Sequence, residues 1–251
     1  MKTGIDISKY QGAIDWGKVS VDFAIIRAGY RGYGSGEIVE DEKARTNCTQ
    51  ANARNIPIGL YFFSQAVNEN EAREEAQFLL NFAKSFRVEY PLYIDTELSG
   101  AEGNTGRADS LSAAQRTKVV KAFCDAIEKA GYYAGIYCSE SWCKNNLAYN
   151  DLKAYDFWIA KWSASEPFVP VSWGIWQYTN SSAVLGVSGR VDGDKAYKDY
   201  PAIIKNAGLN GFGAVKGFQF TFGALTGKDA EKMRELLKEI GITYSEKESE
   251  I

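Results

Sequence analysis

Short apolar runs recur along the chain, separated by amphipathic or irregular stretches. They cover Thr3–Ile7, Phe23–Ala28, Ile56–Phe63, Leu92–Asp95, Tyr133–Cys138, Phe157–Lys161, Gly174–Tyr178 and Gly189–Asp192. Near-continuous apolar character, rich in β-branched and aromatic residues, suits strands buried on both faces. Helical periodicity falls between the early runs, at 41–54, 69–85 and 113–130. In the second segment Ala72, Ala76, Leu79, Leu80 and Ala83 share one stripe; in the third, Val119, Val120, Phe123 and Ile127 do. Asn68 with Glu71, and Ser112 with Gln115, have capping-box spacing, and Gly131 suits a helix stop.

Strand–helix alternation predicts a parallel sheet with right-handed crossovers. Eight runs predict an α/β fold, a closed but irregular (β/α)8 TIM-like barrel. It is irregular because the last three runs leave little room for helices. The barrel is expected over 1–200 and a linker over 201–214. A small β-α-β appendage is expected over 215–251, with Phe218, Phe220 and Phe222 alternating on one strand, a helix near 227–240 and Ile242–Tyr244 as a second strand. About 40 residues cannot hold a core alone, so wall binding is the first expectation for this unit and self-association into a homo-oligomer the second.

In such a barrel the active site lies at the C-terminal ends of the strands. Those positions hold Asp6, Arg27, Tyr61, Asp95 with Glu97, Tyr137, Trp158, Gln177 and Asp192. Asp95 and Glu97 share one face if both lie in a strand. Two carboxylates facing one cleft suit glycosidic cleavage, which needs a proton donor and a negative charge beside an oxocarbenium-like centre. Asp-x-Glu alone equally describes a solvated strand edge. The apolar Leu92-Tyr93-Ile94 before it, and the acids at other strand ends, favour the site.

Composition narrows the chemistry. The 251 residues contain no histidine. That excludes a Ser-His-Asp triad and a Cys-His dyad, disfavours a wall amidase or peptidase, and argues against a catalytic zinc site. No metal or other cofactor is expected. The net charge of −3 argues against nucleic acid as a partner. No stretch approaches the ~20 apolar residues that span a bilayer, so membrane insertion is not expected. The N-terminus has no apolar signal core; the expectation is synthesis in a host cytoplasm and action on the wall after holin-type release. Aromatics at 14% pack cores and also stack on sugar rings. The four cysteines are expected as buried free thiols, with a Cys138–Cys143 pair as the alternative.

Six motifs now stand in order: Gly4-Ile-Asp6-Ile-Ser8-Lys-Tyr-Gln11, Ile58-Gly-Leu-Tyr61-Phe, Tyr93-Ile-Asp95-Thr-Glu97, Phe157-Trp158-Ile-Ala-Lys-Trp162, Trp176-Gln177-Tyr178 and Val191-Asp192-Gly. Over residues 1–200 they resemble the family 25 glycoside hydrolases, lysozymes of the Chalaropsis type common among phage endolysins and bacterial autolysins. The resemblance implies cleavage of the β-1,4 bond between N-acetylmuramic acid and N-acetylglucosamine in bacterial peptidoglycan. By position, Glu97 is similar to the family's general acid and Asp95 to the second carboxylate of that motif. Asp6 and Asp192 match the acids of the first and last strands. On this reading the substrate's acetamido group attacks, Asp95 steadies the intermediate, and Asp6 raises the proton affinity of Glu97. Tyr61, Tyr137, Trp158, Gln177 and Arg27 are the expected sugar-binding residues. Two rival readings remain. A chitinase-like hydrolase would need an aspartate at position 93, where Tyr93 stands; a non-catalytic sugar-binding barrel would not need all four acids.

Overall fold

The computed structural model describes residues 1–213, 225 and 227–239. The chain divides into two compact units, Met1–Val215 and Lys216–Ile251. In the first, nine strands alternate with helices: β1 (Lys2–Ile7), β2 (Phe23–Arg31), β3 (Ile38–Glu40), α1 (Ala44–Ala53), β4 (Ile58–Phe63), α2 (Glu69–Ala83), β5 (Val88–Asp95), α3 (Ala113–Lys129), β6 (Ala134–Ser139), α4 (Glu140–Asn146), β7 (Asp156–Ala160), β8 (Trp173–Ser182), β9 (Val191–Ala196) and α5 (Tyr200–Ala207). The sheet order β1-β9-β8-β7-β6-β5-β4-β2, with β1 also pairing β2, closes an eight-stranded barrel; β3 is an antiparallel flap on the edge of β2.

The barrel is irregular in one respect the apolar pattern did not reveal. β9 runs antiparallel to both β8 and β1. The segment between β8 and β9 has no helix to carry the chain back across the barrel, so the strand returns directly. Asp192 was expected at a C-terminal strand end. It lies instead near the start of β9, directly opposite Asp6 of β1, and the reversal brings it to the same mouth.

Pleat alternation sorts the side chains. Odd and even positions face either the helices or the lumen. The outer set (Ile5, Ile7, Ala24, Ile26, Leu60, Leu92, Ile94, Ile136, Phe157 and Ile159 among them) packs against the inner stripes of α1, α2 and α3. The lumen set is aromatic: Phe23, Tyr61, Tyr90, Tyr93, Tyr137 and Trp158, with Ile25, Ile175 and Ala196. So many rings fit because other lumen positions are glycine. A Cβ on Gly135 would lie 2.3 Å from the Tyr93 ring, and one on Gly4 would lie 2.5 Å from the Phe23 ring. The Ser112–Gln115 capping box forms at the start of α3. At α2, Asn68 caps as expected, but Glu71 turns to the Val67 amide and Arg107.

The expected linker over 201–214 is a correction. Residues 200–207 form α5, which plugs the floor of the barrel through buried Tyr200 and Ile204. Asp199 caps it, Pro201 stands in its first turn, and Gly208 closes it in the left-handed region. Proline there begins a helix rather than breaking one. Asn210 then donates to the carbonyls of Val88 and Tyr90 and accepts from the Tyr133 amide, tying the segment to β5.

In the second unit, α6 (Gly227–Glu239) forms where a helix was expected and has no buried residue. The strands expected at 218–222 and 242–244 lie outside the described residues. All four cysteines are buried free thiols.

Candidate active site

The mouth of the barrel opens into a cleft of about 390 Å³, lined by Asp6, Gln11, Tyr61, Asp95, Glu97, Tyr137, Trp158, Trp162, Gln177, Asn180, Arg190 and Asp192. All four predicted acids meet here, as do Tyr61, Tyr137, Trp158 and Gln177. Asp6, Tyr61, Tyr137, Trp158 and Gln177 come from lumen-facing positions toward the C-terminal ends of their strands, and Asp192 from the start of the reversed β9. Asp95 ends β5. Glu97 was expected in the same strand; it sits in a bend after it. The Thr96 amide makes the last ladder bond, donating to the Tyr137 carbonyl. Trp142 of α4 donates to the Thr96 hydroxyl from behind and holds the turn.

Arg27 is the one predicted binding residue that does not line the cleft. Its guanidinium is committed to Asp41, which accepts from Nε at 2.8 Å and lies 2.8 Å from Nη2. The rings of Tyr10 and Tyr30 flank it. A buried cation needs a partner, and β3 leads straight into one at Asp41. Arg27 therefore acts on the site only through its charge.

A polar lattice fixes the floor. Gln177 Nε2 donates to Asp6 Oδ2 at 2.7 Å, while its Oε1 accepts from Tyr137 Oη at 3.1 Å and Trp162 Nε1 at 3.0 Å. The rings of Tyr61, Tyr93 and Tyr137 contact Trp158 at 6.0, 5.3 and 4.4 Å between centroids. Trp158 spends its indole N–H on Asp194, a fully buried carboxyl one layer below the cleft. The motif reading missed Asp194. Strand alternation offered the signal, because Asp192 and Asp194 are two apart and must share a face.

Burial dominates the electrostatics. It raises Glu97 to about 7, with Asp192 the like charge that adds to it; Asp6, the expected neighbour, is not that charge. Burial raises Asp192 to about 6. It pushes Asp95 well above the usual carboxyl range; the charge of Glu97 adds to this and Arg27 opposes it. Burial thus pushes both carboxyls of the motif toward their protonated forms, and each makes the other harder to ionise. Among the described residues no side-chain group is arranged to hold a metal ion.

The barrel has known counterparts. The family model for glycosyl hydrolases family 25 matches residues 5–187. The chain belongs to glycosyl hydrolase family 25. The family match ends just before β9 and does not reach Asp192 or Asp194. Lysozyme M1 of Streptomyces globisporus is 30% identical over 76% of this chain and 66% of its own length. The autolytic lysozyme of Clostridium acetobutylicum is 26% identical over 76% of this chain and 55% of its own. The chain thus spans less than two-thirds of the length of these curated relatives. Among solved structures, the bacterial lysozyme from Streptomyces coelicolor superposes with a TM-score of 0.68 at 29% identity, covering 82% of this chain and 98% of that one. The modular autolysin LytC from Streptococcus pneumoniae, solved with a synthetic peptidoglycan ligand, gives 0.69 at 30% identity over 77% of this chain and 46% of its own.

Proposed function

We propose that the barrel is a peptidoglycan hydrolase of the lysozyme type, cleaving the β-1,4 bond between N-acetylmuramic acid and N-acetylglucosamine after release to the cell wall. The observation that carries this reading is the Asp95/Glu97 pair lining the cleft, with Glu97 half-buried and raised to about 7. A group that keeps its proton near neutrality can give it to a leaving oxygen. Family membership and the lysozyme relatives support the substrate class.

The chemistry follows from the two environments. In the free enzyme the pair shares one proton. When the muramyl unit enters, its acetamido N–H donates to Asp95. Hydrogen bonding to the charged form favours that form, so the proton settles on Glu97. Glu97 passes it to the glycosidic oxygen while the acetamido carbonyl oxygen bonds to the anomeric carbon. Asp95 faces the resulting oxazolinium charge. Glu97, now ionised, takes a proton from water, and that water's oxygen displaces the acetamido oxygen. Two inversions at one carbon retain its configuration. For the C-terminal unit the proposed role is wall binding.

Mass analysis of muropeptides released from purified peptidoglycan tests the bond. New reducing-end N-acetylmuramic acid is expected; new reducing-end N-acetylglucosamine or new N-termini refute it. Nearly full activity in Asp95→Asn would remove Asp95 from the intermediate.

A further inference from the structure

β9 places two carboxyls on the lumen face, and only Asp192 lines the cleft. Asp194 lies deeper, 0% exposed. Trp158 Nε1 donates to its Oδ1 at 2.8 Å. Its Oδ2 is buried and receives no N–H or O–H from a neighbour. The register pairs Asp194 with Gly4 and Asp192 with Asp6, so Asp194 and Asp6 are diagonal neighbours across the antiparallel pair. Gly4 has no side chain to come between them. The two carboxyls are in hydrogen-bonding contact. Ionised carboxylates only accept. A contact between two of them needs a proton.

We propose that Asp6 and Asp194 share one proton, and that Asp194 is thereby a positioning residue that anchors the Asp6 carboxyl under the cleft and keeps the pair at a single negative charge.

The surroundings leave little alternative. Asp6 Oδ2 is already engaged by Gln177 Nε2, whose orientation is set by two donors on its Oε1. That leaves Oδ1 of Asp6 for Asp194. The groups facing the pair are Asp192 on β9, Tyr61 on β4, Tyr137 on β6, Trp158 on β7 and Gln177 on β8. The strongest influences on both carboxyls are burial, neighbouring acids and hydrogen bonds, and no cation is among them. Two charges without a counterion in a ring-lined barrel are costly, and one charge with one proton is not. Burial holds Asp194 up at about 8. The contact raises Asp6 and lowers Asp194, so the proton of the pair is held on the Asp6 side. The shared proton is argued from the strand register and the unpartnered Asp194 oxygen and does not depend on the lysozyme reading; the positioning role rests on that reading.

The test is a pH titration by carbon-13 NMR of the full chain labelled at its aspartate carboxyls, which leaves Glu97 silent. Two coupled resonances releasing one proton near the value above are expected. In Asp194→Asn, the new amide can donate to Asp6 while its oxygen keeps the Trp158 bond. One member of the coupled pair then disappears, and Asp6 titrates alone at lower pH. In lysis assays at about pH 6, Asp194→Asn is expected within roughly threefold of wild-type kcat/KM. Asp194→Ala is expected to lose about 10- to 100-fold, the scale of one charge-assisted hydrogen bond. Independent ionisation of Asp6 and Asp194 below about pH 5 overturns the shared proton. Equal losses in the Asn and Ala variants overturn the positioning role. If the Ala variant does not fold, the wild-type and Asn titrations still decide. A coupled titration in a protein without lytic activity would sink the proposed function and leave the shared proton intact.

Discussion

Asp6 on β1 and Asp192 on β9 face each other directly across an antiparallel pair, so the first and last strands of the barrel each carry one acid to the same mouth. With Asp95 and Glu97 arriving from β5, three elements far apart in the chain build one acidic cleft. The consequences can be measured.

Glu97→Gln keeps the size of the side chain and removes the transferable proton. Clearing of wall suspensions is expected to fall by about 10²- to 10⁴-fold, the usual contribution of a general acid. Far-ultraviolet circular dichroism and the melting transition are expected to stay native. Normal clearing by a folded variant would refute the acid assignment.

Activity against peptidoglycan is expected to decline as pH rises through about 7, where Glu97 loses its proton. Stability follows the same group with a definite sign. Its folded value lies above the ordinary glutamate value of 4.5. The native state therefore binds the proton more tightly than the unfolded chain. This favours folding at low pH and is lost between about 4.5 and 7. Melting curves across that window are expected to be flatter for Glu97→Gln. At about pH 8 that variant gains about 1–3 kcal/mol over wild type. A steeper dependence in the variant would contradict the burial argument.

Arg27→Met leaves Asp41 buried with backbone donors from Lys9 and Lys43 but no cation. The expected cost is about 3 kcal/mol, the low end for breaking a buried pair. Denaturant unfolding measures it. A cost below about 1 kcal/mol would mean the pair behaves like a surface bridge.

Gly135→Ala drives a methyl into the Tyr93 ring, which itself leans on Trp158. A loss of about 1–3 kcal/mol is expected from overpacking. The same substitution at Gly34, where a Cβ meets nothing within 4 Å, is expected to be near neutral. Comparable melting temperatures for the two variants would refute the close-packed lumen.

The chain's pattern by itself determined a great deal. Apolar runs marked eight barrel strands, because a strand buried on both faces has little room for polar residues. The helix caps at Asn68 and Ser112 were legible because capping is a local bond within a few residues. Asp6, Asp95, Glu97 and Asp192 could be singled out because acids after apolar runs are conspicuous, and the missing histidines removed rival chemistries. Only the tertiary structure decided the rest. The direction of β9 depends on the missing crossover helix and on which neighbours the strand finds, and neither leaves a mark in apolar periodicity. α5 is short and carries a proline in its first turn, so its helical nature is supported by the barrel floor it covers. Arg27 looked like a ligand-binding cation until the fold supplied Asp41. The contact between Asp6 and Asp194 joins residues at opposite ends of the barrel sequence. Long-range contacts of that kind are set by sheet closure, which no local pattern encodes.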